Sequence, residues 1–280
     1  MKQIHWYPGH MKKAQIDIEN KIKIVDLVIE LLDARIPLSS RNPTLFNLTK
    51  NKTRLIVLTK NDLADPEITK NWVNHFKNEG FNAIFVDLNN NFDVKKIIKS
   101  AEKLVENKNQ KLIAKGMKPQ PIRAMIIGIP NVGKSTLINK IAKRNAASVE
   151  NKPGHTKSQQ WIKVSDKFQL LDTPGVLPSN YEDKRAAINL AVVGSINEEI
   201  LPLEELADYA LSYLKENYPD NLKSRFDYLD LSLSNEEIIS SIAKRRGYFV
   251  KDGLDTYKTQ KVFLNELKNG ILGQISFERI

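Results

Sequence analysis

Residues 128–136 read GIPNVGKST, and Gly128, Gly133, Lys134 and Ser135 fit the pattern G-x-x-x-x-G-K-[ST]. The apolar run IRAMIIG leads into this loop with strand character, and TLINKI leaves it with helical character. A glycine-rich turn between a strand and a helix N-terminus wraps backbone N–H groups around a phosphate chain. Lys134 would then neutralise the β- and γ-phosphates, and the Ser135 hydroxyl would reach a Mg²⁺ ion. A chance match in a glycine-containing loop is the competing reading, and the flanking strand and helix argue against it. The same context calls for an α/β fold.

Downstream, DTPG at 172–175 ends the next pair of predicted strands, QQWIKV and KFQLLD, which are separated by the turn Ser165-Asp166. A phosphate-binding fold needs a carboxylate there for the metal shell, Asp172, and a glycine amide for the γ-phosphate, Gly175. Between the two motifs, KPGHTKS supplies Thr156, whose hydroxyl would complete Mg²⁺ coordination. Upstream, LTKND at 58–62 sets Thr59, Lys60 and Asp62 after a short apolar run, and looks like the base-reading motif of a GTPase, usually Asn-Lys-x-Asp. A carboxylate at Asp62 accepts two N–H bonds from guanine, which adenine cannot match. The Lys60 stem would lie along the base and Thr59 would brace the loop, Thr replacing the usual Asn with a shorter reach. A plain Asn-Asp turn is the alternative. The base reader precedes the phosphate loop, the reverse of the ordinary order, so the nucleotide domain is expected to be circularly permuted, with the splice around residues 103–121. A cyclic shift leaves a sheet intact when the old ends lie close.

The remaining pattern supports this arrangement. Residues 24–34, 54–60 and 82–88 read as strands, the first ending at Asp33. Between the last two, Pro66 opens a helix with Ile68, Trp72, Val73 and Phe76 at helical spacing, and Gly80 closes it. A Lys-rich helix follows over 93–115. After Pro178 strands give way to helices: Leu206, Ala210, Leu211 and Leu214 share a face up to Pro219, Ser234 and Glu237 form a capping box before Gly247, and YKTQKVFLNELKNG ends in glycine. The expected division is 1–178, a permuted nucleotide domain with an N-terminal arm, and 179–280, a helical RNA-binding domain.

The 280 residues include no Cys, so disulfides, thiolate metal sites and Cys nucleophiles are excluded. No apolar run has the length of a bilayer span and MKQIHWYPGH lacks targeting character, so a cytoplasmic protein without membrane contact is expected. A formal charge of +10 points to an anionic partner larger than a nucleotide, with a Lys-rich genomic bias in composition as the alternative. Lys244, Arg245, Arg246 and Lys251, with Tyr248 and Phe249 among them, form a candidate RNA surface; solvated charges at a helix end are the alternative.

The permuted order, WYPGHM near the start, Asp33-Ala-Arg35, and the segments GYFVKDG and LKNGILGQISFE together resemble the circularly permuted GTPases, most closely the ribosome biogenesis GTPase A family, over essentially the whole chain. The resemblance implies a GTPase that binds GTP and GDP with Mg²⁺ and acts in late assembly of the bacterial large (50S) ribosomal subunit. The ribosomal particle would stimulate it, with rRNA as partner and a monomeric state. Nucleotide contacts would come from Thr59, Lys60, Asp62, Asn131, Val132, Gly133, Lys134, Ser135, Thr136, Thr156 and Gly175, with Mg²⁺ at Ser135, Thr156 and Asp172. Val176 follows DTPG where small GTPases carry a water-positioning Gln. The resemblance assigns that water to His10, with Lys134 as the other catalytic group; His155 competes for the role, and an RNA-contacting arm is the bland reading of His10. Asn131 resembles the Asn that holds K⁺ in potassium-activated relatives, against a structural loop Asn. Rival readings are a GTPase of another class, such as tRNA modification, and a non-enzymatic RNA-binding scaffold.

Overall fold

The computed structural model describes residues 9–146, 161–177, 183–197 and 201–280, with backbone only for 9–11 and 142–146. Its centre is a six-stranded sheet in the order β3-β2-β1-β4-β6-β5. The strands are β1 (Leu27–Asp33), β2 (Thr53–Thr59), β3 (Asn82–Phe85), β4 (Ile122–Ile127), β5 (Trp161–Ser165) and β6 (Phe168–Leu171). Neighbours are parallel from β3 through to β6, and β5 pairs antiparallel at the edge. The chain thus starts in the middle of the sheet, runs outward to β3, and returns to β4 on the other side of β1. This is a circularly permuted P-loop α/β fold.

Side-chain alternation along the strands builds three layers. In β2, Ile56 and Leu58 face α3 (Pro66–Asn78), where they meet Ile68, Trp72, Val73 and Phe76. Leu55 and Val57 face the opposite way, into the cluster containing Val94, Ile97, Ala101 and Val105 of α4 (Asn91–Ala114). Asp65 caps α3 by accepting from Glu67 N at 2.9 Å and Ile68 N at 3.2 Å, and Gly80 ends it at φ +86°. Phe76 is fully buried, and its truncation to Ala would cost about 3–5 kcal/mol.

The expected splice is closed by side chains. Asn109 of α4 exchanges two bonds of 3.1 Å with the backbone of Gln120, and Asp26 accepts from Lys108 Nζ at 2.7 Å and Arg123 N at 3.0 Å. These ties bring the end of α4 to the start of β4. α5 (Lys134–Ala146) begins within the P-loop motif.

Four short or atypical helices escape a period search: α1 (Gly9–Lys21), α2 (Pro43–Leu48), α6 (Lys184–Val192) and α8 (Pro219–Arg225). α6 is buried from Ala187 to Val192, so it shows no polar face. Pro219, expected as a stop, also supplies the first residue of α8, where its missing N–H is tolerated. α7 (Leu203–Asn217), α9 (Asn235–Arg246) and α10 (Thr256–Lys268) follow the expected spacing. Leu206, Ala210, Leu211 and Leu214 are buried, the Ser234–Glu237 capping box is formed, and Gly247 is left-handed at φ +67°. The loss of strands after Pro178 is not complete: β7 (Phe249–Val250) and β8 (Gly253–Leu254) form a two-stranded ribbon. Phe249 and Val250 have strand propensity, and Gly253 at φ +143° lets the chain reverse. The main apolar cluster continues from the sheet through Val176 and Leu177 into α6, α7 and α10.

Candidate nucleotide-binding site

The strand order reverses between β1 and β4, and a crevice at such a switch point is where open α/β sheets bind ligands. Loops from the carboxyl ends of β1, β2, β3, β4 and β6 converge there. A cleft of about 400 Å³ lies between Lys60, Asp62 and Leu63 on one side and Asn131, Gly133, Lys134, Ser135 and Thr136 on the other. Asp87, Leu88 and Asn89, in the loop after β3, complete its wall.

Close backbone approach explains two of the glycines. A Cβ on Gly133, at φ +104°, would stand 2.6 Å from Leu88 Cδ1. One on Gly175 would meet Pro130 Cα at 2.9 Å and Lys134 Nζ at 3.0 Å, so DTPG is pressed against the phosphate loop. Lys134 is buried, and its ammonium donates to Gly128 O at 3.0 Å and Ile129 O at 2.6 Å. Burial pushes its pKa down to about 8, with Asp172 opposing the shift. The Asp172 carboxyl is pushed up by burial, with Lys134 and the Thr173 amide opposing.

The two non-glycine residues with positive φ among those described are Lys60 (56°) and Asn131 (58°), and both border this cleft. Backbone strain of this kind concentrates at functional sites. Lys60 is held in place by an ion pair of 2.9 Å to the fully buried Asp33, which also pairs with Arg35 at 2.8 Å. Both cations hold the Asp33 carboxyl well below the usual range, against the opposing effect of its burial. Asp62 is different: burial and the neighbouring Asp87 carboxylate push its pKa up.

The expected residues separate into groups. Lys60, Asp62, Asn131, Gly133, Lys134, Ser135 and Thr136 line the cleft together. Thr59 does not line it: the side chain is fully buried, and its hydroxyl lies 3.1 Å from Leu32 O and 2.7 Å from Val132 O. It braces the base loop against the phosphate loop, and Val132, also buried, offers its carbonyl to that brace. Asn131 Nδ2 donates to Gly194 O at 3.3 Å and Ser195 O at 3.4 Å, just past α6. Val176 is buried, in the apolar cluster that runs into the helical part. His10 falls in the first turn of α1, where only the backbone is described, and His155 and Thr156 lie outside the described residues.

Asp33 as the anchor of Lys60, and the Asp87–Asn89 wall, are parts of the cleft that the sequence motifs do not assign. The signal for Asp87–Asn89 is position alone, just past the carboxyl end of a parallel strand, whereas Asp33 also stands in the segment Asp33-Ala-Arg35. Among the described residues no cluster of three or more His, Cys, Asp or Glu could hold a metal by itself.

The chain and its fold have counterparts among known proteins. Residues 123–240 match the family model described as 50S ribosome-binding GTPase. That span starts at β4, so it omits β1, β2 and β3, which permutation has moved ahead of it. The chain is 45% identical over 276 residues to Ribosome biogenesis GTPase A of Bacillus cereus, covering 98% of this chain and 93% of the relative. It is 31% identical to the Thermotoga maritima protein of that name, covering 98% and 94%. Among solved structures, GDP-bound TM YlqF superposes with a TM-score of 0.70 at 26% identity, covering 94% of this chain and 98% of that one. GNP-bound YlqF from T. maritima gives 0.66 at 27% identity, covering 95% and 98%.

Proposed function

Because the chain belongs to the ribosome biogenesis GTPase A family, we propose that it binds the maturing large ribosomal subunit in its GTP state and leaves after hydrolysis stimulated by that particle. Family membership makes it a guanine-nucleotide-binding GTP hydrolase of ribosome biogenesis. The single observation that carries the mechanism is that Lys134 and Asp62 line one cleft together; in this reading Lys134 marks its phosphate end and Asp62 its base end.

In this reading the amides of Asn131–Thr136 cradle the phosphates, Lys134 neutralises the charge that builds in the transition state, and Gly175 offers its amide to the γ-phosphate. Ser135, Asp172 and Thr156 would hold Mg²⁺: hydroxyl and carboxylate oxygens suit this hard cation, which takes its other ligands from phosphates and water. A bound Mg²⁺ would neutralise phosphate charge. Asn131, with Nδ2 bound to carbonyls, has Oδ1 left for a monovalent cation, as K⁺ requires. Asp62 accepts the two guanine N–H groups, and this contact offsets the burial that disfavours its charge.

We assign residues 1–178 to the nucleotide domain and 179–280 to a helical RNA-binding domain, with the protein acting as a monomer in the cytoplasm. No helix among the described residues is long and apolar enough to cross a membrane. The rRNA surface would centre on Lys244, Arg245, Lys251 and the exposed Phe249. Arg246 is occupied internally by an ion pair of 2.8 Å with Glu266.

With Val176 buried, the attacking water needs another partner, and His10 fills that role once the particle has bound. His10→Ala is expected to keep GTP affinity and to lose about 10²–10⁴-fold of stimulated turnover, the usual range for a general acid–base group. The assay is GTP hydrolysis in K⁺ buffer with large subunits, with small subunits as control. Stimulation by neither particle, or normal stimulated turnover in His10→Ala, would sink the respective claim.

Lys134 adds a pH signature. Phosphate oxygens raise the pKa of the ammonium in the complex, so binding takes up a proton above the free value of about 8. GDP affinity should be flat between pH 6 and 8 as set by this group, then fall by up to about tenfold per pH unit above it. Calorimetry at pH 9 in buffers of differing ionisation enthalpy would detect the uptake; release of protons would contradict it.

A further inference from the structure

After α10 the backbone turns at Gly270 (φ +73°) and Gly273 (φ +92°) and runs back across the base-reading loop. Gln274 Nε2 donates to Asp62 O at 3.2 Å, Ile275 N to Leu63 O at 3.0 Å, and Asp65 N to Ser276 Oγ at 3.1 Å. Three of the four residues from Asp62 to Asp65 are therefore held by a segment more than 200 positions away in the chain. Gly270 comes so near that a Cβ there would fall 2.8 Å from Leu63 Cδ2. The grip extends to the Asp33–Arg35 corner. Phe277 N donates to Arg35 O at 2.8 Å, and Glu278 accepts from Leu38 N at 2.6 Å and Ser39 N at 3.0 Å.

The segment is itself anchored in the helical part. Ser276 N donates to Tyr218 Oη at 3.1 Å, and Tyr213 Oη donates to Ser276 O at 2.9 Å. Arg35, while paired with Asp33, donates to Val193 O at 3.0 Å after α6 and to Lys268 O at 3.3 Å at the end of α10. Asp62 thus takes its position from a segment anchored in the helical part, and Lys60 is linked to that part through Asp33 and Arg35.

We propose that Gln274–Glu278 is a positioning element for guanine recognition: it sets Asp62 against the base, and guanine binding in turn tightens the seating of the helical part. The inference rests on the proposed role of Asp62. A hydrogen-bonding group displaced by a fraction of an ångström loses its discrimination before it loses contact, and the coupling is reciprocal by thermodynamic necessity.

The test uses the full chain and compares GDP with IDP, which lacks the exocyclic amino group and offers Asp62 one N–H fewer. The parent protein should prefer GDP by about 10–100-fold, the worth of one hydrogen bond to a charged group. Gln274→Ala changes an exposed side chain and should shrink that ratio roughly fivefold, and Ser276→Ala by about 5–30-fold, the ordinary range of coupling between sites. Loss of overall stability would lower both affinities together and leave the ratio in place. GDP should also slow hydrogen exchange at the Ile275 and Phe277 amides. An unchanged ratio in both variants, with exchange at those amides indifferent to GDP, overturns the inference. Asp62→Asn distinguishes the two layers: if it too leaves the GDP/IDP ratio unchanged, the base-reading assignment fails and the inference with it. If it collapses the ratio while both segment variants do not, the inference alone fails.

Discussion

Asp62→Asn is expected to lower GTP affinity by about 10²–10³-fold and to raise affinity for XTP, because two hydrogen bonds to a charged acceptor are worth roughly 1.5–3 kcal/mol each. Guanine presents N1–H and an exocyclic amino group, both donors, which a carboxylate accepts together. The amide of Asn accepts at one atom only and would oppose its own N–H to the guanine amino group. Xanthine carries a carbonyl at that position, so the same amide is matched to it. The substitution should leave the fold intact, since burial and the Asp87 carboxylate both disfavour charge at Asp62. Competition between a fluorescent nucleotide and GTP, GDP or XTP measures the change. Full GTP affinity in Asp62→Asn, with no gain for XTP, would remove Asp62 from the base site.

Lys134→Ala is expected to reduce single-turnover GTP hydrolysis by about 10²–10³-fold, the loss seen when one preorganised donor is taken from a developing charge. Nζ sits within 3.0 Å of the Gly128 and Ile129 carbonyls and is pressed by Gly175, so no neighbouring cation can move into its place without rebuilding the loop. Stability is the opposing readout. Its pKa of about 8 lies below the ordinary lysine value, so the ammonium is disfavoured in the fold, and the unfolded chain binds more protons between pH 8 and 10.5. The contribution of this group therefore disfavours folding at neutral pH and is relieved as pH rises through that window. Removing the charge offsets the two lost hydrogen bonds, and thermal unfolding should shift by only a few degrees, about 1 kcal/mol or less for a chain of this size. Parental single-turnover rates in Lys134→Ala would end its catalytic assignment.

Local chemistry made much of this protein legible. The phosphate loop depends on glycine at positions of close approach and on a lysine beside them, so adjacent residues declare it whatever surrounds them. β1 and β2 are short segments rich in Val, Ile and Leu and β4 in Ile, Met and Ala, and α3 and α9 carry their own caps and stops at Asp65, Pro66, Gly80, Ser234 and Gly247. The order of base reader and phosphate loop was itself enough to expect the permuted sheet. Residues whose partners are distant in sequence were not legible in this way. α2 is capped by Asn42, whose amide also donates to Val176 O at 2.8 Å, and α6 is buried too completely to show a period.

The sequence by itself determined the α/β fold and the permuted order, and pointed to residues that line the two sides of one cleft, because each is encoded by neighbours along the chain. Only the tertiary structure decided which carbonyls the Thr59 hydroxyl braces, that Asp33 holds Lys60, and that Gln274–Glu278 grips the loop after β2. These are contacts between carboxyl-end loops and a returning segment. Their energies exist only once the sheet has brought together groups that no local pattern relates.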